Sequence, residues 1–146
     1  MLRQLLLGGV VSLANIATHA IVMTTVVSTA RRALTWEQRL PRVWLTAMMV
    51  TSVGVLLAAH VAEVITWSLV YAVLGVAPSE TDVFYFAFVN YTTLGYGDIV
   101  PVERWRLLGP FTAMNGVLLF GWSTAVIFEV LRQAMHTQNG SFKRQA

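Results

Sequence analysis

Apolar residues fill this chain in three long blocks separated by polar stretches. They cover roughly residues 4–29, 41–74 and 105–135. As a helix rising 1.5 Å per residue, the first reaches ~38 Å, ample for a hydrocarbon core ~30 Å thick. Each block therefore predicts a membrane-spanning helix. The second is longer than a bilayer needs, which predicts tilt or projection beyond the membrane. Asn15, Thr18 and His19 interrupt the first block within about a turn. They mark either a face turned to protein or side chains bonded locally to backbone. A secretory signal peptide competes for the first block. Its apolar core is too long for that, and Ser28-Thr29-Ala30 is a poor cleavage site.

A shorter element lies between the second and third blocks. Pro78-Ser79-Glu80-Thr81-Asp82 reads as a helix start, with Ser79 as N-cap and Asp82 where a capping-box glutamate would sit. A helix over 79–92, through Phe84-Tyr85-Phe86-Ala87-Phe88, is ~20 Å long and too short to span. It can only dip in and return. The return strand is non-helical backbone at membrane depth, tolerated only where it is buried in protein or lines a wet cavity. The negative C-terminal end of such a helix favours a cation near it.

Composition agrees with this pattern. The 146 residues are 56% hydrophobic and 12% charged, with a mean hydropathy of +0.64. Soluble domains carry about 25% charged residues. The absence of cysteine excludes disulfides and thiolate metal sites. A pI near 9.8 would suit a nucleic-acid partner, but the cations cluster at helix ends rather than along one stripe. With three crossings, Arg31, Arg32, Arg39, Arg42, Arg132, Lys143 and Arg144 fall on one side, and Arg3, Arg104 and Arg106 on the other. The positive-inside rule then predicts an outside N-terminus, an Arg-rich linker inside and a cytoplasmic C-terminus. Pro41 suits the first turn of the second helix.

The candidate chemistry sits in the return strand, Thr92-Thr93-Leu94-Gly95-Tyr96-Gly97-Asp98. In a soluble protein this would read as a Gly-rich turn. At membrane depth it has a sharper use. An ion sheds its water only if protein oxygens replace the hydration shell. Successive backbone carbonyls can do so if they face one side, which needs backbone angles of alternating hand, and glycine reaches positive φ at little cost. Gly95 and Gly97 supply two such positions. Thr93 adds carbonyl and hydroxyl oxygens, and Tyr96 would wedge the strand against its surroundings.

These residues, with the flanking helices, resemble the pore module of bacterial potassium channels over about two thirds of the chain. Thr93-Leu94-Gly95-Tyr96-Gly97 falls on that family's Thr-Val-Gly-Tyr-Gly filter, with Leu94 in place of valine. Thr92 matches the preceding threonine, and Asp98 the aspartate at the outer mouth. The resemblance implies an all-α integral membrane fold: three transmembrane helices plus a re-entrant pore helix and filter loop, in a homotetrameric potassium-channel architecture. It implies a pore module over 41–136, to which the apolar pattern adds an N-terminal helix and linker over 1–40. That module comprises an outer helix 41–74, a pore helix 79–92, a filter 93–98 and an inner helix 105–135. A short polar tail covers 137–146. It further implies K+ bound by the carbonyls of Thr93, Leu94, Gly95 and Tyr96, as permeant ion rather than cofactor. Tyr85 would support Asp98, because the pore-helix position where some relatives carry glutamate is Val89 here.

The third block resembles the family's pore-lining helix. Gly116, 19 residues past Gly97, falls near its hinge glycine. In that register Val117, Phe120, Thr124 and Phe128 line the cavity, and Phe128 narrows the inner mouth. Gly121 is either a second flexible point or a close-packing site. Asn115 and Ser123 can bond across helices. His60 and Glu63, three apart on one face of the second helix, read as an interfacial salt bridge among headgroups or as a pH-sensitive brace behind the filter. Other classes fit less well. Internal repeats expected of a transporter are missing. The first helix lacks a voltage sensor's regular arginines, and no Ser-His constellation marks an enzyme. An accessory subunit with a vestigial filter, or a channel needing an unknown regulatory subunit, stays open. Asn90-Tyr91-Thr92 and Asn139-Gly140-Ser141 match the glycosylation motif formally, but at positions that exclude it.

Overall fold

The computed structural model describes residues 1–36 and 42–143. Arg39, Pro41 and Arg144 of the charge and capping arguments lie outside the described residues. Four α-helices follow in order: α1 (Leu2–Trp36), α2 (Arg42–Leu74), α3 (Val83–Tyr91) and α4 (Leu108–Lys143), with a 3-10 turn at Glu103–Trp105. Among the described residues there is no strand. Three helices are long and apolar enough to cross a membrane, over Leu2–Ala33, Val43–Leu74 and Glu103–His136.

Several bounds differ from the sequence expectation. Helix α1 extends past 4–29 at both ends, through Arg31 and Arg32, because arginine is a good helix former and nothing before Trp36 breaks the turn. The expected pore helix 79–92 shrinks to nine residues. Ser79 does not cap it. Glu80 turns left-handed at φ 64°, which ends any helix begun before it. Asp82 is the N-cap instead, its carboxylate accepting from Tyr85 N at 3.0 Å. The inner helix starts at Leu108 rather than 105, with Pro110 in its first turn, where a missing N–H is harmless. It then continues past the expected end at 135, through residues 136–143.

Contacts group the residues into two compact units. The first comprises Met1–His19 and Ala59–Phe120. Its core joins Val64, Trp67, Tyr71, Val76, Phe86, Tyr91, Trp105 and Leu108. The end of α2 is built there by a Schellman motif. Gly75 sits at φ 60°, Val76 N donates to Tyr71 O at 3.0 Å, and Gly75 N to Ala72 O at 3.3 Å. Trp105 Nε1 takes the orphan Leu74 carbonyl at 2.9 Å, and the Arg3 guanidinium lies 5.3 Å from the Trp105 ring centroid. Gln4 of α1 accepts from Leu107 N at 2.9 Å, so one helix caps the start of another.

The second unit comprises Ala20–Ala58 and Gly121–Ala146. Its core is Met23, Val26, Ala30, Met48, Leu56, Val126, Val130 and Ala134. Ser52 Oγ donates within α2 to Met48 O at 2.8 Å, a buried bond, and other polar contacts lie nearer the surface. Arg132 pairs with Glu129 through Nε at 2.8 Å and NH2 at 2.9 Å, and Arg31 approaches Glu129 at 3.9 Å.

Candidate functional site

Helix α3 ends at Tyr91, and Thr92 closes it with its backbone N–H on Phe88 O and its hydroxyl 2.9 Å from the same carbonyl. Thr93 N then donates to Asn90 O, and Leu94 N to Val89 O, both at 3.0 Å. Beyond them the chain extends. Thr93, Gly95 and Gly97 take φ of 60°, 51° and 81°, while Leu94 and Tyr96 keep negative φ. Left- and right-handed residues thus alternate over five positions, the backbone pattern that a one-sided row of carbonyls requires. Thr93 does this without being glycine, a position at which strain of about 1–3 kcal/mol is stored. Residues 95–97 make no backbone–backbone hydrogen bond among the described residues. The segment is open in one chain: Leu94 is 53% and Tyr96 68% exposed. Tyr85 donates its hydroxyl to Asp98 Oδ2 at 3.0 Å, tying the first turn of α3 to the far end of the segment.

Behind α3 lies a buried polar cluster that the sequence hinted at only in fragments. His19 of α1 and His60 of α2 both turn Nδ1 to the Glu63 carboxylate, at 2.6 Å from Oε1 and 3.2 Å from Oε2. The Tyr91 hydroxyl donates to Glu63 Oε2, and its oxygen is 2.8 Å from His60 Nδ1. His19 is 0% and Glu63 1% exposed. This replaces the headgroup salt bridge expected of His60 and Glu63: a third helix and α3 close over the pair and exclude water. One turn along, Asn115 Oδ1 of α4 accepts from Asn15 Nδ2 at 3.1 Å and from Trp67 Nε1 at 3.0 Å. Tyr71 adds a bond of 2.7 Å to Thr112 Oγ1. Of the three polar residues in the first block, Asn15 and His19 face protein. Thr18 bonds locally, to Ala14 O at 3.0 Å. Apolar side chains gain little by leaving lipid for another apolar surface, so interhelical hydrogen bonds, each worth about 0.6–2 kcal/mol, do much to choose which helices meet.

Helix α4 approaches the same corner. A Cβ built on Gly116 would land on the Tyr91 carbonyl oxygen, so this glycine lets α4 touch the end of α3. Close approach accounts for glycine here without invoking a hinge. Gly121 meets no atom within 4 Å from such a Cβ, which removes the close-packing reading within one chain. Phe120 is exposed on α4 and also packs against the cluster. Its ring centroid lies 4.4 Å from His60 and 5.4 Å from Tyr91. Val117, Thr124 and Phe128 are exposed, and Ser123 is buried.

A family model described as an ion channel matches residues 59–133, just over half of the chain. The chain belongs to that ion-channel family. No curated protein and no solved structure matches it. It is therefore a multi-pass membrane protein of the ion-channel class, all-helical among the described residues. The matched stretch holds His60, Glu63, α3, the extended segment and most of α4. Asn15 and His19 lie outside it, so the N-terminal helix of this channel contributes buried bonds to a domain whose family pattern does not include it. Trp67, Tyr91 and Gly116 are the packing residues whose partners sequence reasoning missed. Tyr91, an aromatic beside the Thr-Thr pair, was the signal available for one of them.

Proposed function

We propose that the chain is one subunit of a potassium-selective channel, a homotetramer that conducts K+ passively across a cell membrane. The observation that carries this reading is the alternating backbone of Thr93, Leu94, Gly95, Tyr96 and Gly97, on a sequence that resembles the potassium filter. Oxygens of Thr93 to Tyr96 replace the hydration shell of K+. Four copies are needed because one strand cannot encircle an ion. The exposure of this strand in a single chain supports assembly, since non-helical backbone open to lipid is not tolerated. Asp98 lies at the outer mouth, held by Tyr85. Val117 and Thr124 face the aqueous cavity, and Phe128 narrows its inner end, where a ring of apolar side chains gates by dewetting. The arginines of the linker place it in the cytoplasm and the N-terminus outside.

The decisive experiment is potassium flux into liposomes that contain only this purified chain. The expected result is K+ uptake well above Na+ uptake, abolished or made non-selective by Tyr96→Asp. Equal K+ and Na+ uptake would identify a non-selective cation channel, and no uptake an accessory subunit.

A further inference from the structure

The buried cluster contains more ligand chemistry than a brace needs. His19, His60 and Glu63 each offer one donor atom, and these atoms all lie within 4.8 Å of one another. They come from two helices, with His19 and His60 41 positions apart in the sequence. Both imidazoles present the same nitrogen, Nδ1, to the two oxygens of one carboxylate. A fourth donor, the Tyr91 hydroxyl, stands 2.8 Å from His60 Nδ1. We infer that His19, His60 and Glu63 form a site for a divalent transition-metal ion of the zinc type, with Tyr91 beside its fourth position.

Geometry supports the size. Metal–nitrogen and metal–oxygen bonds of about 2.0–2.2 Å put tetrahedral donors about 3.3–3.5 Å apart. The His60–Glu63 separation of 3.2 Å already meets that, and the His19–Glu63 separation of 2.6 Å must open by less than about 1 Å. Donor chemistry selects the class. Two imidazoles and one carboxylate suit zinc, cobalt or nickel, whereas calcium and magnesium want six or more oxygens in a site of this kind. The surroundings are suitable too. Phe120 stacks against His60, and the His60 side chain, 10% exposed, is the side of the cluster open to entry. Burying a carboxylate at membrane depth is costly, and a bound cation beside its hydrogen-bond partners offsets that cost further. The ion would join α1 and α2 beside Tyr91, the last residue of α3 before the extended segment. None of this depends on which ion the channel conducts.

The test uses the full chain, purified without a histidine tag. After Zn2+ loading and gel filtration it should retain one Zn2+ per chain, and Co2+ loading should give the intense visible absorption of a tetrahedral nitrogen–oxygen site. His19→Gln combined with His60→Gln should lose both signals. His136→Gln, which alters the remaining histidine, should keep them. If the double variant fails to fold, the native chain still decides: Zn2+ should protect His60, the open side of the cluster, but not His136, from acylation by diethyl pyrocarbonate. Absence of retained Zn2+ and of the Co2+ absorption in the native chain overturns the site and leaves the cluster as a proton-held brace. Retention that survives the double variant does the same.

Discussion

The extended segment after α3 and the polar cluster behind it sit a few residues apart, yet they solve opposite problems. In the cluster, the carboxylate of Glu63 and the side-chain oxygen of Asn115 each find donors from two or more elements of the same chain. In the segment, residues 95–97 leave their backbone amides without a backbone acceptor among the described residues, and their surroundings are open. One chain completes the scaffold. It leaves the segment open, with its backbone bent into alternating hand; on the proposed reading, oxygens from other copies complete it. Substitutions in the two regions should therefore fail differently, the first through flux and the second through stability.

The largest effect is expected from Gly95→Ala. Its Cβ would meet only the Thr93 carbonyl oxygen, at an ordinary 3.9 Å, so crowding is not the problem. The cost is φ 51°, a left-handed conformation that disfavours an L side chain by about 1–2 kcal/mol. Flux in liposomes should be lost while the unfolding temperature of the protein in detergent falls by only a few degrees. Undiminished K+ flux would show that the alternating backbone is not what conducts.

Glu63→Ala should reverse that pattern. Removing the carboxylate strips His19, His60 and Tyr91 of their common partner at a stroke. Removing the common acceptor of buried hydrogen-bonding groups costs about 1–3 kcal/mol for each, so thermal unfolding should move down by many degrees. A variant within about 0.5 kcal/mol of wild type would mean that the cluster does not hold the helices together. Gly116→Ala should come next. The new methyl group collides with backbone, at Tyr91, and cannot be relieved by rotating a side chain. Overpacking of this kind costs about 1–3 kcal/mol. An unfolding temperature equal to wild type would show that α4 can back away from α3 freely.

The same contrast explains what could be read in the sequence. The spans were legible because hydropathy integrates over some twenty residues and tolerates local error. The extended segment was legible because its backbone needs are written in its own residues, glycine at alternate positions. Boundaries were not. Ser79 looked like a cap, but Glu80 takes positive φ and hands the role to Asp82 three residues later. The cluster was half visible. His60 and Glu63 share a face by spacing alone, and Asn15 and His19 stood out as polar on an apolar helix. What joined them was not visible: contacts between residues 44, 48 and 100 positions apart follow from helix packing, and no local pattern encodes them. Position along the helix had placed His60 and Glu63 near headgroups, whereas packing by α1 and α3 decides their burial.

The smallest effect should come from the contact that joins α3 to the far end of the segment, the Tyr85–Asp98 hydrogen bond, because both residues are exposed and water competes for each. Its signature is a titration rather than a loss of stability. The bond that Asp98 accepts holds the Tyr85 phenol above its ordinary value of 10.0, with burial and the aspartate's charge acting in the same direction. The folded value is thus raised above the unfolded one. The contribution of the bond is fully present below the unfolded value, through neutral pH, and is lost as pH rises through the raised folded value. Asp98→Asn keeps an acceptor but removes the charge. In an ultraviolet titration of the purified protein, it should bring one tyrosine back toward its ordinary value, and Tyr85→Phe should delete that tyrosine from the curve. If Asp98→Asn leaves every tyrosine where it was, the bond does not persist in solution, and the outer end of the segment is held by contacts from neighbouring subunits instead.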